Sequence, residues 1–485
     1  MTASIVSENY RPDPHRWRVL FVLVLAIFMS LISVSIVNVA LPSIASSLDA
    51  SQSELQWVLS GYALTFGVLL VAAGRAGDIY GRGALFITGV AVFTLSSIAS
   101  GFATDAFWLN IARAFQGIGS GLLSPQALGL IQQYFRGAER GRAFGIFGGA
   151  VGISVAVGPL LGGLLIEAGG VEQGWRWTFF VNVPVGIAAI ILAWLWLPKP
   201  LLGRTPQFDP TGAPVRRDLD PIGAILLGLA VFAVLLPFVE AERHPILWLS
   251  LPAGIGLTLL WLAWERRYKR RGRSPMVDLA IFRTRSFANG TLLISLYFTG
   301  VTSVWVLVAL YMQDGLGHSA LESGVVGLPS AVFSALAAVW GGRNVTKFGR
   351  IVVISGMYSA IAGLVLSILV VFLHDAGLAS EWWLLLSLAF VGAGQGLVMS
   401  PNQALTLAEV PLRYAGSSGG IMQTGQRIGT SVGIAVITAL AFGVLPFTNW
   451  AVSFGVGFVA IILVVVLALL VAYADLRQRT RGLVQ

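Results

Sequence analysis

Cysteine is absent from this 485-residue chain. Its absence excludes disulfides, thiol nucleophiles and thiolate-bound metal. Histidine is nearly as scarce: the 4 in the chain, His15, His244, His318 and His374, are scattered, so no metal centre is expected. Charge is thin as well, with Lys, Arg, Asp and Glu at 11% of residues, where soluble domains carry about 25%. No Gly-x-x-x-x-Gly-Lys-Ser/Thr loop occurs, so nothing points to a built-in ATPase or another cofactor. These shortages argue against a soluble enzyme and a disulfide-stapled secreted domain.

Apolar residues fill the space. They make up 56% of the chain, and mean hydropathy is +0.82. Long apolar runs are expected to span a membrane at 19–40, 57–74, 84–102, 107–132, 142–166, 178–197, 221–239, 247–264, 287–312, 323–341, 351–373, 382–408, 415–442 and 450–473. Each can cross a core of ~30 Å at about 1.5 Å per residue. Strands alternating in a ten-residue period are missing, which leaves helices. The first run lacks a small-residue cleavage site after it and reads as a retained span. The sequence therefore describes an all-α integral membrane protein of fourteen helices, with the lipid bilayer as solvent.

A net charge of +9 reports orientation here and not nucleic acid. Of 31 Lys and Arg, only Arg176 and Arg243 lie in loops of one side, with Arg113 and Arg427 inside spans. All others fall in the two tails and the loops of the opposite side, above all 198–220 and 265–286. Both termini are expected in the cytoplasm of a cell-membrane protein. Tryptophans at span ends (Trp17, Trp57, Trp108, Trp264, Trp382, Trp450) fit an interfacial belt. Single cysteines introduced into 265–286 should resist labelling from outside intact cells.

Internal repetition sets the organisation. Gly74-Arg-Ala-Gly-Asp-Ile-Tyr-Gly-Arg82 returns as Gly342-Arg-Asn-Val-Thr-Lys-Phe-Gly-Arg350, each between two apolar runs. Ser124-Pro125-Gln126 has a counterpart in Ser400-Pro401-Asn402. A duplicated bundle follows: residues 1–197 as one six-helix unit, 198–286 as a linker with two extra spans, and 287–485 as the second unit with its tail. Span 5 carries Gly145, Gly148, Gly149, Gly152, Gly158, Pro159, Gly162 and Gly163; span 13 carries Gly416, Gly420, Gly425, Gly429 and Gly433. Small-residue faces let backbones approach closely, so these helices are expected to form a rocking seam between the units.

No acidic residue falls in the middle of a span, yet Arg113 and Arg427 do lie within spans. An ionisable group at membrane depth marks a functional site by default. Arg427 needs water or polar partners, with Gln423, Gln426, Asn38, Gln116, Asn402 and Gln403 in reach by sequence. A membrane enzyme would want clustered His, Asp or Glu, and a channel would want a selectivity filter; neither is visible. Secondary transport of a small molecule is the reading that remains.

These features together resemble the major facilitator superfamily, and within it the fourteen-span drug:proton antiporters. Gly74, Gly77, Asp78, Gly81 and Arg82 match the motif between helices 2 and 3; Arg113, Gln116 and Gly117 match that of helix 4; Gly158, Pro159, Gly162 and Gly163 match the antiporter motif of helix 5. Asn38-Val-Ala-Leu-Pro42, Trp175-Arg-Trp-Thr-Phe-Phe-Val-Asn-Val-Pro184 and Pro275-Met-Val-Asp-Leu279 with Phe282-Arg283 resemble hallmarks of that group. The resemblance covers nearly the whole chain. It implies a monomeric exporter of amphipathic drugs or antibiotics that exchanges them for protons. It implies a latch role for Asp78 at the start of span 13, with Arg140 or Arg142 as further partners, and a role for Arg113 in tuning a nearby acid. An exporter of an endogenous metabolite, a siderophore or a lipid, anionic to suit the arginines, is the alternative. The chain departs from the family at two usual acidic positions, which are Ser33 and Ser60 here. That moves the expected proton-coupling acid to a span end, Glu167 or Asp314, and leaves Ser33, Asn38, Ser60, Gln126, Asn402, Gln403, Gln423, Gln426 and Arg427 as expected cavity residues.

Overall fold

A computed structural model of the chain describes residues 13–201, 218–240 and 245–482. Most of the basic loop 198–220, the start of the N-terminal tail and Arg243 lie outside the described residues. The first bundle comprises α1 (Arg16–Leu48), α2 (Gln52–Tyr80), α3 (Arg82–Gly101), α4 (Ala106–Tyr134), α5 (Gly137–Phe180) and α6 (Asn182–Trp196). The linker hairpin is α7 (Pro221–Glu240) and α8 (Ser250–Arg270). The second bundle holds α9 (Arg285–Leu310), α10 (Ala320–Phe348), α11 (Arg350–Asp375), α12 (Leu384–Thr406), α13 (Ala415–Val444) and α14 (Trp450–Gly482).

Fourteen helices form where fourteen apolar runs were read, and they extend further than the runs. Thirteen described segments are long and apolar enough to cross a membrane, and α4 is not among them. Its polarity is directed inward: Arg113, Gln116, Ser120, Ser124, Gln126 and Gln132 are all buried. The expected loop between spans 5 and 6 is helical too. It breaks only at Gly170, where φ is +73°, so spans run Gly137–Gly170 and Glu172–Trp196.

The duplication is deeper than the motif. α2 and α10 both start with a capping box, Ser51 with Glu54 and Ser319 with Glu322, and each serine stands the same distance before its motif glycine. Both helices end at a glycine with positive φ, Gly81 at +112° and Gly349 at +56°, so one chain reversal is built twice.

Then the copies diverge. Arg82 reaches toward the other bundle. Arg350 turns into its own, with Nε donating to Asp475 on α14 at 2.7 Å and Nη1 donating to Asn402 on α12. Asn289 of α9 also donates to Asp475, at 3.1 Å, and Asn402 donates to the Gly290 carbonyl at 3.0 Å. Both ionic side chains are buried, so removing one strands the other. Arg350→Met is expected to destabilise by about 3–5 kcal/mol, read as a lower melting temperature in detergent.

The seam helices change partners along their length. Toward the end of the molecule that carries the basic loops, α5 presents Gly141, Gly145, Gly148, Gly149 and Gly152 to α10 and α12 of the other bundle. A Cβ on Gly342 would sit 2.6 Å from the Gly145 Cα. Further out, Gly158 and Gly162 turn to Ser35, Ile36 and Val39 of α1, in their own bundle. α13 does likewise. Gly416, Gly419 and Gly420 face Gly74, Leu128 and Leu70 across the seam, while Gly425, Gly429 and Gly433 face Ser295 and Thr299 of α9. The bundles are thus closed on one another at the basic end.

Candidate functional site

Asp78 sits where the seam closes. Its side chain is 1% exposed, and it accepts from the backbone N–H groups of Gly416 and Ser417 at 2.9 Å each, and from the Ser417 hydroxyl. Those donors are the first turn of α13, so a carboxylate caps the positive end of a helix from the other bundle. Arg82 completes the contact. It pairs with Asp78 at 2.7 Å, with Gln133 at 2.8 Å, and donates to the Leu412 carbonyl. Arg140 and Arg142 do not join Asp78. Arg140 donates to the Leu407 and Ala408 carbonyls at 3.4 Å, beyond the end of α12, and Arg142 lies over the Trp17 ring at 5.0 Å. The correction follows from reach: Arg82 is one turn beyond Asp78 and shares its helix face. At this closure the first bundle supplies charged side chains, and the second supplies backbone groups and the Ser417 hydroxyl.

Gly77 brings α2 against Gln126 of α4, since a Cβ there would lie 2.6 Å from the amide carbon. Gln126 donates to the Ala73 carbonyl at 2.7 Å and is fully buried. Gly117 makes the second close approach of these helices, against Tyr62 and Thr65. Gln126 is packed between α2 and α4, with its Oε1 left without a partner. Ser33 accepts from Gln116 at 3.2 Å, and Asn402 is held by Arg350. Gln403 is 2% exposed, and Ser60 is 5% exposed with its hydroxyl donating to the Gln56 carbonyl at 2.9 Å. Gly163 borders open space, with nothing within 4 Å of a built Cβ. Asn38 is exposed.

The arginines at membrane depth share one structure. Arg113 is 1% exposed; its Nε donates to the Val58 carbonyl at 2.9 Å, Nη1 donates to Gln116, and its guanidinium lies 4.5 Å from the Tyr62 ring. One helical turn on, Phe66 lies 6.0 Å from Tyr62 and carries the Arg427 guanidinium at 4.4 Å. Arg113, Tyr62, Phe66 and Arg427 form a ladder of cation, ring, ring, cation, and Arg427 reaches it from the other bundle. Tyr62 also bonds Ser120 at 2.7 Å, which bonds Ser30 at 2.7 Å; Gln116 donates to Ser97 at 2.6 Å. No carboxylate pairs with either arginine among the described residues.

Arg427 is part-exposed, and its neighbours on α13 are under-satisfied: Gln423 Oε1 and Gln426 Nε2 are buried without partners. Glu167 and Asp314 are exposed, away from Arg113, so neither supplies the acid expected beside it. Tyr62 and Phe66 were missed in the sequence. Their signal is an i, i+4 aromatic pair on an apolar helix, which reads equally as core.

A model described as Major Facilitator Superfamily matches residues 23–434 and again 291–484. The probable actinorhodin transporter of Streptomyces coelicolor is 35% identical over 438 residues, 90% of this chain and 74% of that protein. The multidrug resistance protein Stp of Mycobacterium tuberculosis is 31% identical across 85% of this chain and 73% of its own length. Among solved structures, the proton:xylose symporter XylE superposes with a TM-score of 0.66 at 15% identity, over 96% of each chain. The chain belongs to the major facilitator superfamily. It is a multi-pass membrane transporter and not an enzyme.

Proposed function

We propose that this chain exports amphipathic aromatic small molecules by alternating access, in exchange for protons, with its basic end in the cytoplasm. Named relatives that carry an antibiotic or confer drug resistance support export. The lack of a nucleotide loop supports an ion gradient as the drive. The observation that carries the substrate reading is the ladder at the seam. Rings Tyr62 and Phe66 are bracketed by two arginines, and among the described residues no acid pairs with either. A cation at membrane depth needs water, polar atoms or an anion. A planar substrate with a carboxylate or acidic phenol supplies both the ring and the charge, and an acidic metabolite would fit the same way.

A resistance and accumulation profile in cells lacking their own efflux pumps tests export directly, using acidic, neutral and cationic polyaromatic compounds. Arg427→Gln is expected to weaken apparent affinity for acidic compounds by about tenfold or more, the worth of one charge-assisted contact. Neutral compounds should move far less. If every substrate keeps its rate and affinity, Arg427 is a packing residue and the anionic reading is withdrawn. Glu167→Gln and Asp314→Asn are expected to leave the pH profile of efflux unchanged, because both carboxyls are exposed and unconnected to the ladder.

A further inference from the structure

The linker hairpin holds two buried carboxyls. Glu265 on α8 and Asp220 at the start of α7 are each 1% exposed. Gly223 lies against both: a Cβ there would lie 3.0 Å from Glu265 Oε1 and closer still to Asp220 Oδ2. Asp220 is held, at a positive φ of 44°, by the Gly223 N–H at 3.0 Å and the Trp264 indole N–H at 3.0 Å. Glu265 is held more loosely: neither oxygen makes a hydrogen bond of full geometry, and its nearest donors are the Trp261 indole N–H and the backbone N–H groups of Val277 and Met276.

Among the charged groups around Glu265, Arg266, Arg270 and Arg283 share its cavity and Arg75 keeps its Nε unpartnered, while Asp218, Asp278 and Lys269 are engaged elsewhere. Arg75 of α2 donates to the Asp218 carbonyl at 3.4 Å. The Tyr268 hydroxyl donates to the Asp218 carboxylate and holds it below the usual carboxylate range. Burial raises Asp278, but bonds from Lys269, the Ala280 N–H and Tyr414 outweigh it and hold it low. From α13, Ile421 packs on this cluster and brings no charge. An ionised Glu265 would be a buried charge beside the Asp220 carboxyl, an arrangement that disfavours ionising both. It borders a cavity of about 630 Å³ with Arg266, Lys269, Arg270 and Arg283 also on its walls, while both carboxyl oxygens are shut off from solvent, so proton exchange requires the hairpin to loosen.

The position matters as much as the chemistry. Val71 of α2 and Ile421 of α13 pack together with Trp261, Met276 and Val277, so the linker covers the seam where the two bundles close. Tyr414, just before α13, donates to Asp278 at 2.9 Å and ties the segment after α8 to the same gate. We propose that Glu265 is a proton-binding site tied to closure at the basic end: it takes a proton from water when the linker seals against α2 and α13, and returns it when the seam opens. The consequence is a closed state favoured by acid on the basic side. The inference does not depend on what is transported.

The test uses the full-length protein in nanodiscs without substrate. Leu128 is buried opposite Gly419 at the seam. Leu128→Cys gives one reporter in a cysteine-less chain. Its labelling by a soluble maleimide, corrected for the reagent's own pH dependence, should rise at least several-fold from acid to alkaline pH. Adding Glu265→Gln, isosteric with the protonated acid, should hold labelling at the low-pH rate throughout. Glu265→Asp should keep a pH dependence. Infrared difference spectra should show a protonated-carboxyl stretch that Glu265→Gln removes. A wild-type labelling profile in Glu265→Gln, or loss of the band only in Asp220→Asn, overturns the assignment. Because no substrate is present, either failure leaves the export reading to its own test.

Discussion

Gly342→Val is expected to abolish most transport while the protein still inserts in the membrane. The added Cβ would meet backbone, 2.6 Å from the Gly145 Cα and 2.8 Å from its nitrogen, and backbone cannot rotate away as a side chain can. The clash exists only while α5 and α10 are together, so it penalises closure at the basic end and spares conformations in which the seam has opened. Overpacking of this kind costs about 1–3 kcal/mol, and each ~1.4 kcal/mol is tenfold in a population. The closed state should fall by one to two orders of magnitude, and turnover with it. A cysteine at Ala338, 1% exposed and facing Gly145 and Gly148, should become freely reactive. Gly324→Ala is the control, since a Cβ there meets nothing within 4 Å. Wild-type transport by Gly342→Val would show that the cycle never needs the helices this close.

The sequence made that seam visible, because glycines four apart have one obvious use in a helix. It did not show that each seam helix serves two partners. Gly152 faces the other bundle and Gly158 faces α1, and nothing in the spacing of the two differs. The partner changes because the helices diverge, which is a property of three dimensions. The fourteen helices were legible for a similar reason, as the bilayer allows few other structures for such apolar runs. Polar residues inside those runs were the weak point. Gln126, Asn402 and Arg350 read as cavity or loop groups, yet all three are buried within a bundle and hydrogen-bonded there. A buried polar group that finds a partner looks, in one dimension, the same as one that waits for a substrate. Glu265 passed unnoticed because it ends an apolar run just where a basic loop begins, a place where a solvated charge is the ordinary case.

Asp78→Asn is expected to cut transport at least tenfold without affecting membrane insertion, and the reason is the number of donors aimed at one carboxylate. Gly416 N–H, Ser417 N–H, the Ser417 hydroxyl and Arg82 all converge on it. Asparagine fills the same space but turns one acceptor into a donor, facing it against donors already in place. It also removes the negative charge from the N-terminus of α13. Hydrogen bonds to a charged group are worth about 1.5–3 kcal/mol each, so losing even one shifts the closed population by an order of magnitude or more. The loss should appear at the seam as faster labelling of the Leu128→Cys reporter. Asp78→Glu, which keeps the charge at a longer reach, should retain part of the activity. The second copy of the motif offers the contrast. Thr346 stands where Asp78 does, is exposed, and carries no charge. Thr346→Ala should therefore leave transport within about twofold, as surface changes usually do. The gate is asymmetric, charged on one side of the pseudo-twofold only, and equal losses from Asp78→Asn and Thr346→Ala would contradict that asymmetry. Normal transport by Asp78→Asn would remove the latch altogether, leaving close backbone packing such as Gly74–Gly416 and Gly145–Gly342 to close the basic end.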